Sequence, residues 1–544
     1  MKKHSLLFFL LSLTITSSFA QATFQKRYGG HRGEKMTGLA RTHDGGYVLA
    51  GGSGSFGDTL GDAYLVKTDS TGNLLWSMIY HGALNDYCNK VIETADHGLL
   101  LIGQTYSFGS GSLDAFLIKT DSVGNEEWSK AYGGPGDDFF FNAIQTFDGG
   151  YIAVGATTSF GAGDYDMLII RTNASGDTLW TRILGGVSYD QMEDVIQTAD
   201  SNFVLCGRTE SFGLAIEESF LCKINQSGDT LWTLIFGGSV QQEAIYLAQT
   251  YDRGYIVTGS SNSFSTSFDA YLNRFDSAGH LLWSKLYGGP LTDATYNVVI
   301  MSDSGFTLLG FTNSFGPPLS IKHNGNSNPY ARTEGDDSSN IYIIRTNVSG
   351  DTLWTSEYGG RLQDEAYGLL KTSDDGLVIL GYSSSFGTDS TDAYLIKTDA
   401  KGHSDCNEKP TNPAVASPNT IVSSAATQIT SGVSVVAAPF SQFAPPTFAY
   451  VLCSALGVSD AEVSSKDLTL YPNPAANQLT ISIPSLQRNE PGTIFITNIL
   501  WQALYQSVIT NPKSEIDISF LTAGIYFVHL NDEKGMWTGR FVKE

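Results

Sequence analysis

The chain has 544 residues, a formal charge of −23, 41% hydrophobic residues and 12% aromatics. The length exceeds one ordinary domain, and the apolar content excludes a disordered chain. The acidity excludes a basic surface for nucleic acid or anionic lipid.

In chain order, residues 1–20 read as a secretory signal peptide: Lys2 and Lys3, an apolar run from Leu6 to Ile15, then Ser18-Phe19-Ala20 before Gln21. The apolar run is too short to span a bilayer. No later stretch reaches transmembrane length, and the predicted route is through the periplasm to secretion or the outer cell surface. Thr23–Gly30 then reads TFQKRYGG, one strand ending in Tyr-Gly-Gly.

Tryptophans follow at Trp76, Trp128, Trp180, Trp232, Trp283 and Trp354, spaced by 52, 52, 52, 51 and 71 residues. A period near fifty marks a propeller or solenoid array. Within each period four short segments recur, rich in β-branched and aromatic residues and bounded by turns such as Asp44-Gly45-Gly46 and Asp148-Gly149-Gly150. Four strands per period is the blade of a β-propeller. A Ser-Phe-Gly tag, with Ser265 replacing Gly once, stands at Phe56, Phe108, Phe160, Phe212, Phe264, Phe315 and Phe386. It counts seven repeats against six tryptophans. The seventh repeat stops after Lys397-Thr398-Asp399, without a fourth strand, and the N-terminal TFQKRYGG supplies the missing piece. Residues 21–405 are therefore expected to close as a seven-bladed β-propeller, which removes exposed sheet edges.

The spacing Asp-x-x-Gly-x-x-x-Trp, as in Asp69 to Trp76, resembles the tryptophan-docking repeat of pyrroloquinoline-quinone-type propellers and the Asp-box of sialidases. The resemblance covers one hairpin per blade. It implies a tight turn that seats an aromatic against the neighbouring sheet, and it carries fold only.

Two features of the repeats bear on function. Glu34, Asp86, Asp138, Asp190, Asp293 and Asp364 recur just past the Gly-Gly-type pair, with Gln242 in the fifth copy. If that strand is innermost, they form an acidic ring at one channel mouth. They then either hold a cation or cap backbone N–H groups at a turn, the second being favoured. The other feature is the insertion Gly316–Ser339 in the sixth repeat, holding Lys322, His323, Tyr330, Arg332, Glu334, Asp336 and Asp337. A unique long loop among copies is a candidate ligand site. A basic residue recurring in the third strand (Lys67, Lys119, Arg171, Lys223, Arg274, Arg345, Lys397) reads as structural.

Residues 406–457 read as a linker with one strand near Thr447–Leu452. Of the five cysteines, Cys406 with Cys453 and Cys206 with Cys222 are the pairings open to a disulfide. Residues 458–544 change pattern again. Tyr471-Pro472-Asn473-Pro474, Gly524-Ile525-Tyr526 and the closing stretch with Lys543 resemble the C-terminal (type A) sorting domain of type IX secretion cargo. That resemblance implies a small β-sandwich read by the secretion machinery.

The nine histidines show no metal-ligand spacing, and no nucleophile elbow or phosphate loop is present. The expectation is thus an all-β exported chain: a seven-bladed β-propeller, a linker and a C-terminal β-sandwich. It binds a surface protein or glycan without catalysis, metal or cofactor. The alternative is a secreted hydrolase or lyase acting on polysaccharide or peptide.

Overall fold

Apolar strands bounded by glycine turns fold antiparallel throughout the computed structural model. It describes residues 23–57, 61–315, 339–386, 391–404, 406–423, 428–430, 434–438, 441–443, 448–455, 469–482, 492–498, 503–509, 511, 513–532 and 535–543. Among the described residues every regular element is a strand. The all-β expectation holds. Two compact units divide between Gly457 and Val458.

The larger unit contains seven five-stranded sheets. Sheets 1 to 6 each take four consecutive strands of one repeat, as in Glu34–Arg41, Tyr47–Ser53, Asp62–Thr68 and Leu74–His81 of sheet 1. Sheet 7 takes three from its own repeat, beginning with Asp364–Lys371 and ending with Asp392–Lys397. Its fourth is the N-terminal strand Thr23–Gly29, paired antiparallel from Phe24↔Lys397 to Tyr28↔Ala393. First strands of successive sheets pack against one another, and the first strand of sheet 7 packs against that of sheet 1.

Aromatic docking joins the sheets. Trp76 of sheet 1 lies on Gly124, a turn glycine of sheet 2 at φ +86°, where a Cβ would stand 3.1 Å from the indole. Tyr80 donates its hydroxyl to the Gly124 carbonyl at 2.5 Å, and Tyr132 repeats the bond to Gly176 at 2.7 Å. Phe24 takes the tryptophan's place in sheet 7 and lies on Gly72, while Trp354 of sheet 6 lies on Gly402.

Residues 406–457 correct the linker reading. The strand Phe448–Ala455 forms where one was expected, but six more precede it. Glu408–Pro410 pairs with sheet 6, Ala414–Ala416 with sheet 5, Ile421–Ser423 with sheet 4 and Gln428–Thr430 with sheet 3. Ser434–Ala437 pairs with sheet 2, Ser441–Phe443 with sheet 1, and Phe448–Ala455 with the N-terminal strand in sheet 7. The segment gives each sheet a fifth, outer strand in descending order. It covers edges whose N–H and C=O groups would otherwise lack partners.

Cys406 and Cys453 form a disulfide. Cys206 and Cys222 stay free and buried. In the register Cys206 faces Leu221 and Cys222 faces Leu205. Directly opposed residues share a sheet face, so the two sulfurs lie on opposite faces.

In the smaller unit, a three-stranded sheet (Thr469–Tyr471, Gln478–Ser482, Lys513–Asp517) and a four-stranded one (Gly492–Asn498, Ala503–Ile509, Gly524–Asp532, Gly535–Lys543) share one core. Leu479 and Ile481 meet Ile494, Ile496, Val528 and Phe541 there.

Candidate functional site

The recurring acids are structural brackets. Glu34, Asp86, Asp138, Asp190, Asp293 and Asp364 are each 0% exposed. One carboxylate oxygen accepts the N–H of the Gly four residues earlier at 2.7–3.0 Å. The Ser of the Ser-Phe-Gly tag donates to the same carboxylate at Asp86, Asp138, Asp190, Asp293 and Asp364, as Ser314 does to Asp293 at 2.6 Å. In sheets 1, 5, 6 and 7 the tag's phenylalanine packs on a third-strand tyrosine, as Phe56 does on Tyr64. The acids therefore point into their own sheets instead of ringing an open mouth. Burial is the main cause that raises their pKa values, opposed by these hydrogen bonds.

The third-strand cations pair with the aspartate of the preceding hairpin turn in all seven sheets, from Lys67–Asp44 at 2.9 Å to Lys397–Asp374 at 3.5 Å. Residues Lys322, His323, Tyr330, Arg332, Glu334, Asp336 and Asp337 lie outside the described residues. The insertion's last residue, Ser339, is described, and its Oγ donates to Glu365 at 3.0 Å.

The feature the sequence reading missed is a cavity of about 490 Å³ lined from the first strands of all seven sheets. Each first strand carries a β-bulge at the same place, and the register skips Thr37, Asn89, Phe141, Glu193, Ile245, Tyr296 and Tyr367. Those seven skipped residues all line the cavity. A bulge frees one residue from the ladder and re-aims its side chain. Glycine opposite the bulge permits the close approach: a Cβ on Gly155 would stand 1.8 Å from the Phe139 carbonyl oxygen. A recess of similar volume shares Thr37 and Asn89 with this cavity and adds Tyr87 and Gln104.

One side of the cavity is aromatic. Tyr296 and Tyr367 stack at 4.8 Å and 6°, and Tyr367 continues to Tyr382 at 6.2 Å. Both Tyr367 and Tyr382 donate to Glu365, at 2.8 and 2.7 Å. Burial opposes ionisation of Glu365, but hydrogen bonds from Tyr382, Gln363, Tyr367 and Ser339 outweigh it and lower its pKa.

Another side is charged. Arg208 lies within 3.4–3.8 Å of Glu193, Glu217 and Glu243 and over the Tyr189 ring. Burial pushes Glu193 up to about 7 against the pull of Arg208. Deeper in, Lys90 sits over the Tyr246 ring, and burial lowers its pKa. Behind this wall Asp194 accepts hydrogen bonds from Asn142 and from the Leu247 N–H.

The sorting motif assembles from distant pieces. Tyr471, Pro472, Asn473 and Pro474 are exposed. The Asn473 side chain accepts the Val542 N–H at 2.9 Å, and Ala475 bridges to Lys543. Gly524 opens the strand in which Tyr526 is buried, its hydroxyl donating to the Thr522 carbonyl at 2.8 Å.

Residues 469–544 match the family model of the secretion system C-terminal sorting domain. The chain is thus a type IX cargo, delivered to the cell surface or extracellular space. It is 31% identical over 144 residues to the regulatory protein FlaEY of Caulobacter vibrioides, covering 25% of this chain and 14% of FlaEY. Among solved structures, PorZ is described as a surface component of the type IX secretion system of Porphyromonas gingivalis. It aligns over 93% of this chain and 59% of its own, at 11% identity and TM-score 0.36. Sqt1 of Chaetomium thermophilum covers 69% of this chain and 98% of its own, at 8% identity and TM-score 0.37. A puromycin hydrolase covers 70% and 55%, at 14% and 0.41. No helix among the described residues is long and apolar enough to cross a membrane.

Proposed function

We propose that the seven sheets are the blades of a closed seven-bladed β-propeller, and that its central channel seats a glycan chain without cleaving it. Closure is supported by the N-terminal strand in sheet 7 and by the cycle of first-strand contacts. The observation that carries the ligand reading is the cavity fed by all seven first strands, with a stacked tyrosine wall and a carboxylate–arginine cluster. Tyrosine faces bury the apolar side of a pyranose ring, and fixed carboxylate and guanidinium groups bond its hydroxyls. Contact of Ser339 with Glu365 brings one end of the insertion to this wall.

The test is a glycan array probed with the exported chain and with Tyr367→Ala. Selective binding by the parent, lost in the variant, supports the reading. Binding that survives Tyr367→Ala and Arg208→Gln places the ligand elsewhere, and capture of proteins alone overturns the glycan assignment.

A second reading is a polysaccharide hydrolase or lyase. It is favoured by one observation: Glu193, pushed up to about 7, lines the same cavity as Lys90, whose pKa is lowered. A carboxylic acid and an amine tuned toward neutrality suit proton transfer. Release of reducing or unsaturated ends from a bound polysaccharide, abolished by Glu193→Gln, would select it.

A further inference from the structure

The seven repeats serve as controls on one another. The hairpin turn between first and second strands reads Thr42-His43-Asp44-Gly45 in sheet 1 and Thr94-Ala95-Asp96-His97 in sheet 2. Its second position is otherwise Ala, Phe, Tyr or Ser, and its fourth Gly, Ser, Arg or Asp. The last residue of the first strand is Gln145, Gln197 and Gln249 in sheets 3 to 5, and Glu93 in sheet 2. Gln145 and Gln197 accept a backbone N–H from the turn of the preceding sheet, at 2.7 and 2.8 Å from Ala95 and Phe147. Glu93 does the same for His43 at 2.9 Å. That bracket needs only an amide oxygen.

Here a carboxylate replaces the amide and two imidazoles gather round it. The Nδ1 atoms of His43 and His97 lie 2.7 and 4.0 Å from the same Glu93 Oε1. The two rings stack at 3.9 Å. One ligand atom from each residue falls within 4.8 Å of the others, the only such grouping found among the described residues. Metal–ligand bonds of about 2.0–2.2 Å set tetrahedral ligand atoms roughly 3.4 Å apart, so small rotations of exposed side chains suffice. No sequence spacing announces the set, because His43 comes from another repeat.

We propose that His43, Glu93 and His97 form a surface site for a divalent transition-metal ion of the zinc class, clipping the turn of sheet 1 to that of sheet 2. Two imidazole nitrogens and one carboxylate oxygen suit Zn²⁺, Ni²⁺ or Cu²⁺, whereas Ca²⁺ and Mg²⁺ prefer oxygen alone. Three protein ligands leave a further position for water or an external group. The site is independent of the cavity.

The experiment is calorimetric titration of the exported chain with ZnCl₂, and separately with CaCl₂. One saturable zinc equivalent and no calcium binding that competes with it are expected. His97→Asn suits as the variant because asparagine tolerates the positive φ of 66° at this turn. It should weaken zinc binding by more than about tenfold. His43→Gln should do the same. His280→Ala, which removes an imidazole facing the single carboxylate Asp276, should leave it unchanged. The proposal is overturned if the parent shows no saturable zinc site, or if both cluster variants bind zinc as the parent does.

Discussion

Cys406 and Cys453 are bonded across an interval of 47 residues in which the chain passes the outer strand of every sheet. The bond turns this outer segment into a covalent loop around the proposed propeller. Closing a loop of that length removes unfolded-state entropy worth about 4 kcal/mol. Cys406→Ser with Cys453→Ser should lower unfolding free energy by up to that amount, read from urea midpoints. Protease should also cut between 411 and 447 in the variant before the repeats. Identical midpoints and cleavage in parent and variant would show that strand pairing alone holds the segment.

The remaining thiols should be silent in the native protein. Cys88, Cys206 and Cys222 are buried, and burial raises all three pKa values, that of Cys88 to about 12. A thiolate reagent should find no reactive group before unfolding and three after it. Rapid reaction of any one in the folded chain would contradict the packing.

Much of the larger unit was legible because the same contacts recur. Trp76 on Gly124 and Ser314 on Asp293 repeat around the sheets, so their residues repeat in the sequence. The outer segment was not legible. Its strands, five of the seven only three residues long, pair through backbone groups, which small residues such as Ser, Ala and Thr supply without any side-chain pattern. The cavity was missed for the opposite reason. Comparing repeats draws the eye to recurring positions such as Asp138, whereas Phe141, Glu193 and Tyr367 stand at a bulge position where the repeats differ. Repeated residues hold each sheet together; the divergent ones meet in the shared space.

Export should separate cleanly from folding. The two compact units divide at Gly457–Val458, and the smaller has its own core. Deleting residues 458–544 should leave the unfolding free energy of the repeats, read from urea transitions, within about 0.5 kcal/mol. In the native host the truncated chain should collect in the periplasm. Full surface delivery of the truncated form would refute the sorting role.

Asp293 gives the last prediction, a pH dependence. It is fully buried beside Asp269, and burial pushes its pKa up to about 6 while Ser314, Thr312 and the Gly289 N–H hold it down. The model carboxyl value is 3.8, so the folded chain binds this proton more tightly than the unfolded one. The position therefore favours folding at low pH, and that contribution is lost as pH rises from about 4 to about 6. At about 1.4 kcal/mol per pKa unit the loss is on the order of 2–3 kcal/mol. Sheet 5 already carries the neutral solution. Gln242 stands at the equivalent place, accepts the Gly238 N–H at 2.9 Å and donates to Glu218 at 3.1 Å. Asp293→Asn should copy it, with the new amide directed at Asp269. The difference in unfolding free energy, variant minus parent, should then move in the variant's favour by that amount between pH 4 and pH 7. Taking the difference cancels the titrating groups that do not interact with Asp293, while Asp269, coupled to it by charge, shifts with the substitution. Asp166, also pushed up to about 6 by burial and by Asp190, provides a replicate through Asp166→Asn. A difference that stays flat with pH at both positions would mean that these carboxylates are ionised across the whole range and that their hydrogen bonds fully compensate their burial.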